Sequence, residues 1–191
     1  MHRQIILASK SPRRLQLFKL LKIKFKAVDS GYREVVNPRL SHKDLVRFLA
    51  LGKATAAARK YPKAVIVAAD TMVSFKGKII GKPKSKKDAE KMLKSFSGKA
   101  QEVITGVAVL NASTKQVVTA VDKIKIYFKK LSDADISAYI KSGEPFGKAG
   151  GYNLQGLGFN LIKKIEGDFT CALGLPMTIV FNALEKLGVE I

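Results

Sequence analysis

Ile5-Ile6-Leu7-Ala8-Ser9-Lys10-Ser11-Pro12-Arg13-Arg14 is the stretch that decides the fold. A short apolar run rich in β-branched residues stops at Ser9, a tight polar turn follows, and a helix opens with Ser11 as its cap. Pro12 suits the first turn because its missing N–H would have no helical partner there. The helix is predicted from Pro12 to about Leu21. Arg13 and Arg14 stand where unpaired backbone N–H groups and the positive end of the dipole already favour an anion. Two cations at that end are unfavourable unless something negative binds beside them. The stretch therefore reads as a strand, a turn and a helix N-terminus built for a phosphate or polyphosphate. The alternative is that both arginines are surface cations of a very basic chain. No Walker A loop occurs anywhere in the sequence.

Outward from this start, strands and helices alternate, with no linker, repeat or low-complexity segment. Phe25–Val28 reads as a short strand closed by Asp29-Ser30-Gly31. A helix opens at Ser41 with Asp44 in a capping-box relation, and packs through Leu45, Leu49 and the alanines to Ala58. Ala64–Ala69 is a continuous apolar run, the pattern of a central strand covered on both faces. Met72–Phe75 and Lys78–Ile80 form a hairpin about Lys76-Gly77. Ser85 and Asp88 open a helix that Gly98 ends. Two long strands follow, near Glu102–Leu110 and Gln116–Phe128. Ser132 with Asp135 starts a helix that stops at Gly143, and a last helix begins near Pro176. Hairpins and crossovers together give an α/β class with a mixed sheet.

The 191 residues suffice for a real core and fit one domain, 1–191, with two lobes. With 47% hydrophobic and 26% charged residues the chain is globular. A single cysteine, Cys171, rules out an internal disulfide framework and fits a reducing compartment. The N-terminus lacks a signal-peptide layout, and no apolar run is long enough to span a bilayer. These features predict a cytoplasmic protein with no membrane partner. The formal charge of +20 would draw nucleic acid, and equally a polyanionic small molecule. The lysines are dispersed, as at Lys84, Lys86 and Lys87, and aromatic residues are only 8%, so scattered solvated cations are the preferred reading.

Few residues are placed to do chemistry. Asp70 directly follows the buried strand and precedes Thr71. Carboxyl ends of central strands open onto ligand crevices, so Asp70 is placed for metal binding or general-base work, or else caps a turn. Glu34 is a second acidic candidate among only 15 acidic residues. Two carboxylates on Mg²⁺, with phosphates completing the shell, would suit phosphate-ester chemistry. Lys82 lies in the rigid Gly81-Lys82-Pro83 turn, and Lys53 lies on an alanine-rich helix; either could offset charge on a leaving group or simply be solvated. The Gly143–Gly158 segment is glycine-rich, and its Gln155 could meet a nucleobase edge. Neither His2 nor His42 has a metal-site neighbourhood, and Cys171 has no partner for nucleophilic catalysis.

Taken together, these segments resemble the Maf family of nucleoside triphosphate pyrophosphatases. The resemblance is carried by Leu7-Ala8-Ser9-Lys10-Ser11-Pro12-Arg13-Arg14, Ala69-Asp70-Thr71, Gly81-Lys82-Pro83, Ser97-Gly98 and Thr105-Gly106-Val107. It continues through Glu144-Pro145, Lys148-Ala149-Gly150-Gly151-Tyr152, Leu154-Gln155-Gly156, and Ile165-Glu166-Gly167-Asp168 to Gly174-Leu175-Pro176. It implies a two-lobed, three-layer α/β/α fold of the Maf and inosine-triphosphatase kind, with a central mixed, elongated sheet and an active-site cleft. The implied reaction cuts a nucleotide between its α- and β-phosphates.

By the same resemblance Asp70 accepts a proton from the attacking water, and Glu34, Lys53 and Lys82 match supporting charged positions. Asp70 and Glu34 would hold Mg²⁺ or Mn²⁺. Ser9, Arg13, Arg14, Thr71, Lys148 and Gln155 match positions that bind the substrate. The Lys-Ala-Gly-x-Tyr and Gln-Gly segments look like the branch acting on dTTP and UTP. Gln101, Gly147 and Gly52 stand where the family usually has His, Asp and Glu, which bears on substrate preference. A homodimer is common for such proteins, and no stable nucleic-acid complex is expected. The rival reading, served by the charge, is a non-catalytic nucleic-acid-binding or cell-division regulatory protein.

Overall fold

Four helices start on serine hydroxyls, at the positions the sequence indicates. The computed structural model describes residues 3–191, so His2 lies outside the described residues. Helix α1 (Pro12–Lys19) is capped by Ser11, α2 (His42–Lys60) by Ser41, α3 (Lys86–Phe96) by Ser85 and α4 (Asp133–Lys141) by Ser132. Each hydroxyl accepts the backbone N–H three residues on, which satisfies one orphan donor of the first turn. Only α4 has the full capping box, with Asp135 returning to the Ser132 N–H at 2.9 Å. At α2, Asp44 instead accepts the Ser41 hydroxyl proton at 2.6 Å. Two further helices, α5 (Phe169–Ala172) and α6 (Met177–Lys186), lie near the C-terminus.

The strands are β1 (Ile5–Ala8), β2 (Lys26–Val28), β3 (Val65–Phe75), β4 (Lys78–Ile80), β5 (Ala100–Asn111), β6 (Val117–Phe128) and β7 (Ile162–Glu166). They form one seven-stranded sheet in the order β2-β1-β3-β5-β6-β7, with β4 paired to β3. β1 is parallel to β2 and β3, while β3–β4 and β6–β7 are antiparallel, so the sheet is mixed as expected. The structure corrects one reading. β3 does not stop at Ala69 with Asp70 behind it, but runs unbroken through Asp70 and Thr71 to Phe75. Neither β7 nor α5 is foreseen by the sequence reading.

The chain divides into two compact units. The first holds the residues up to Thr71, Ile104–Asp122 and Thr170–Ile191. All of β1 and the first six residues of β3 are buried, hence covered on both faces. On one face, Ile6, Ala8, Ile66, Ala68, Ala108 and Leu110 share a cluster with the α2 residues Ala50, Ala54 and Ala57. Small residues let the α2 backbone come close to the sheet. At Gly106, a Cβ would lie 2.4 Å from the Val46 carbonyl oxygen, so no larger residue fits there without moving α2.

The second unit comprises Met72–Val103 and Lys123–Phe169. Its core is an aromatic chain in which Phe75 meets Phe96, Phe96 meets Phe128 and Phe128 meets Tyr152, with centroids 5.0–5.5 Å apart. The hairpin turn takes positive φ at both Lys76 and Gly77, which matches the right-handed strand twist. The glycine-rich segment is structured: Glu144 accepts the N–H groups of Leu157 and Gly158 at 3.0 and 3.3 Å. The Tyr139 hydroxyl accepts Asn153 N–H at 3.0 Å. No helix among the described residues is long and apolar enough to cross a membrane.

Candidate active site

Strand alternation separates Asp70 from Thr71. In β3, Ile66, Ala68 and Asp70 share a face, and the first two pack in the α2 cluster. Asp70 therefore points to the α2 side, one residue beyond the alanines. Thr71 points to the opposite side with Val67 and Ala69. β1 ends at Ala8 just after the Leu7–Val67 register pair, so β3 outruns its parallel neighbour before it reaches Asp70.

On the α2 side three charges converge. The Lys53 ammonium lies 2.5 Å from Asp70 Oδ1 and 2.7 Å from Glu34 Oε1. The Asp70 and Lys53 side chains are only 10% and 14% exposed, whereas Glu34, on the loop before α2, is 53% exposed. α2 supplies Lys53 from the edge of its alanine face, one position before buried Ala54. Burial pushes the Asp70 carboxyl above the ordinary aspartate range and the Glu34 charge adds to this, while Lys53 and Arg14 oppose it. Asp70 is thus an ionisable group with a strengthened proton affinity, held in one orientation by a fixed ammonium.

The opposite side holds a closed hydrogen-bond relay. The Arg14 guanidinium donates to Gly174 O at 2.7 Å, Ala69 O at 2.9 Å and Thr71 Oγ1 at 3.0 Å. Thr71 and Thr105 hydroxyls are 2.9 Å apart, and Thr105 donates to Cys171 O at 2.9 Å. Each threonine has one proton, so Thr71 must donate to Thr105, which passes its own to the carbonyl. Burial lowers the Arg14 pKa, with Asp70 opposing. Gly174 has φ +95°, and a Cβ there would sit 3.1 Å from Thr71 Oγ1 and 3.2 Å from Arg14 Nε. The relay fastens the first turn of α1, β3 and the α5–α6 connection into one piece. Arg14 is accordingly tied to protein acceptors rather than free as a phosphate fork.

Arg13, its neighbour, differs: its Nε is buried and has no hydrogen-bond partner among the described residues. Ser9 Oγ accepts Ser11 N–H at 3.2 Å and shapes the turn. Lys82, Lys148 and Gln155 belong to the second unit, where Lys82 and Gln155 are exposed and Lys148 is half-buried. The structure thus brings Asp70, Lys53 and Glu34 together, and Arg14 with Thr71. Thr105 and Gly174 complete the Arg14–Thr71 relay; both lie within quoted motifs but receive no role from the sequence. Cys171 is buried, and burial pushes its thiol up to about 12.

No group of three or more His, Cys, Asp or Glu residues able to hold a metal ion occurs among the described residues. The donor set is two carboxylates around one ammonium. That set fits a hard cation such as Mg²⁺, which binds through one or two carboxylates and completes its shell with waters and substrate phosphates.

Curated relatives align over nearly the whole chain. A dTTP/UTP pyrophosphatase of Caldicellulosiruptor saccharolyticus is 39% identical over 193 residues, covering 99% of this chain and 97% of its own. Its counterpart in Methanosarcina barkeri is 41% identical, covering 99% and 96%. Among solved structures, the Staphylococcus aureus Ham1 protein aligns with a TM-score of 0.47 and 16% identity, over 67% of this chain and 73% of its own. The family model described as Maf-like protein matches residues 4–187, and with relatives this similar over this length the chain belongs to the Maf family.

Proposed function

We propose that this chain is a nucleoside triphosphate pyrophosphatase that cuts the bond between the α- and β-phosphates of dTTP, UTP or modified pyrimidine nucleotides. The products are a nucleoside monophosphate and pyrophosphate. The observation that carries the reading is the buried Asp70 held by Lys53 beside Glu34, in a family whose relatives bear the name dTTP/UTP pyrophosphatase. Asp70 takes a proton from water, the water oxygen bonds to the α-phosphorus, and the bond to the α–β bridging oxygen breaks. Lys53 holds Asp70 in one orientation and favours its carboxylate form against the burial that raises its pKa. Mg²⁺ or Mn²⁺, held by Asp70 and Glu34, would supply Lewis-acid stabilisation of the phosphate charge.

Arg13, with its buried unpartnered Nε, is the residue of the α1 turn assigned to the polyphosphate, and Ser9 shapes that turn. Lys82, Lys148 and Gln155 carry the remaining substrate contacts in this reading, whereas the Thr71 hydroxyl, expected among them, is engaged by Arg14 and Thr105. The chain works as one two-lobed domain in nucleotide-pool housekeeping in the cytoplasm, free or as a homodimer, without a stable nucleic-acid complex.

The test is product analysis with purified protein across canonical and modified nucleotides, with and without Mg²⁺ or Mn²⁺. Metal-dependent pyrophosphate release from dTTP or UTP is expected. Orthophosphate as the first product, or no metal dependence, contradicts the reading. Arg13→Ala should lower turnover far more than Lys87→Ala, an exposed position on α3. Equal losses would remove Arg13 from the site.

A further inference from the structure

Glu34 reaches Lys53 from a loop that has little else to fix it. Asp29 accepts Gly31 N–H at 3.0 Å and Ser30 accepts Tyr32 N–H at 3.2 Å, so hydrogen-bonded turns carry the chain as far as Tyr32. From Arg33 to Val36 the Glu34–Lys53 ion pair is the tie among the described residues, and Val35 and Val36 are 60% and 61% exposed. An ion pair with a half-exposed partner is too weak to order a loop by itself.

Tyr32 supplies the missing anchor. Its ring lies against the α2 backbone at Gly52, and forms one wall of an open cavity of about 260 Å³ that Phe48, Leu51, Thr55 and Arg59 also line. The approach is so close that a Cβ on Gly52 would fall 2.4 Å from the ring Cζ and 2.7 Å from the hydroxyl oxygen. Gly52 lies inside α2, where glycine is a poor residue and alanine a good one. Its positive value here is the space it leaves. Gly52 directly precedes Lys53, and Tyr32 stands two residues before Glu34, so the aromatic contact and the ion pair join the same two segments, one residue apart on α2 and two on the loop.

We propose that Tyr32 is a positioning residue, and that its docking on the bare backbone of Gly52 holds Glu34 against Lys53. The proposal rests on the reading that Glu34 serves the Asp70 site.

The experiment combines hydrogen exchange of the free protein over residues 30–37 with steady-state pyrophosphate release. It uses Tyr32→Ala, Tyr32→Phe, Gly52→Ala and the double variant Tyr32→Ala/Gly52→Ala. Gly52→Ala favours the helix by propensity yet should expel the ring. It and Tyr32→Ala should each speed exchange across the loop and lower kcat roughly tenfold to a hundredfold, the scale of a misplaced catalytic group. KM should change less. Tyr32→Phe keeps the ring and should behave as the parent. In the double variant the two effects should not add, because the added Cβ then meets no ring.

Parent-like exchange in Gly52→Ala, additive losses, or a Tyr32→Phe variant that behaves as Tyr32→Ala would each overturn the proposal. A parent chain that releases no pyrophosphate would overturn the functional reading alone, and the exchange data would still decide the docking.

Discussion

Asp70 and Thr71 are adjacent in sequence, lie in the same strand, and face two different environments. Asp70 meets a lysine and, through it, an exposed glutamate. Thr71 meets an arginine, bonded also to two backbone carbonyls, and a second threonine whose proton ends on the Cys171 carbonyl. The first cluster keeps a charged group with altered proton affinity and one member open to solvent. The second satisfies itself. A polar group that is to act on a substrate must retain unused capacity, whereas a polar group that holds a fold must spend it. The period of two along β3 is enough to place one of each side by side.

The sharpest way to break this contrast is Lys53→Met. It leaves the mostly buried Asp70 carboxylate without its ammonium, and breaking a buried pair from one side costs about 3–5 kcal/mol. The loss of Lys53 raises the already elevated Asp70 pKa further. A carboxyl whose folded pKa exceeds its unfolded value makes the protein lose stability as pH rises through that window. The Lys53→Met deficit should therefore be largest at neutral pH and shrink as pH falls towards the ordinary aspartate value of 3.8. Denaturant unfolding of both proteins at several pH values checks this. A deficit independent of pH would mean that Asp70 does not depend on Lys53.

On the other face, Thr105→Val removes the link between Thr71 and the Cys171 carbonyl without changing shape. The loss should be about 1–3 kcal/mol, the cost of stranding buried polar partners, with turnover per folded molecule retained. Urea titration reads the first and pyrophosphate release the second. If turnover collapses while stability holds, the relay is chemical rather than structural. The smallest expected effect concerns Cys171. Its thiol, pushed up to about 12 by burial, should resist iodoacetamide at pH 8 in the native protein and react after unfolding. Rapid alkylation of native protein would show that the connection before α6 opens readily.

The contrast also marks how far the sequence could be read. The four serine caps were legible because each lies three residues before an N–H that needs an acceptor. The Ala64–Ala69 run was legible because a strand covered on both faces has no polar phase. Asp70 was legible as a candidate for chemistry, yet its place inside a strand was not. A polar pair after an apolar run looks like a turn until the partners that satisfy it on each face are known. Arg14 and Arg13 form the same dipeptide in sequence and differ only in three dimensions, since the acceptor at Gly174 O is 160 residues away. Tyr32 on Gly52 carried no signal, because a glycine within a helix does not announce what fills its space.

The account is tested most directly by pyrophosphate release from dTTP or UTP, per folded molecule, for the parent, Asp70→Asn and Thr105→Val. Loss of a general base alone costs on the order of 10²–10⁴ in rate. The account predicts a fall of that size in Asp70→Asn and near-parental turnover in Thr105→Val. Near-parental turnover in a folded Asp70→Asn would reduce Asp70 to a structural residue and contradict the account.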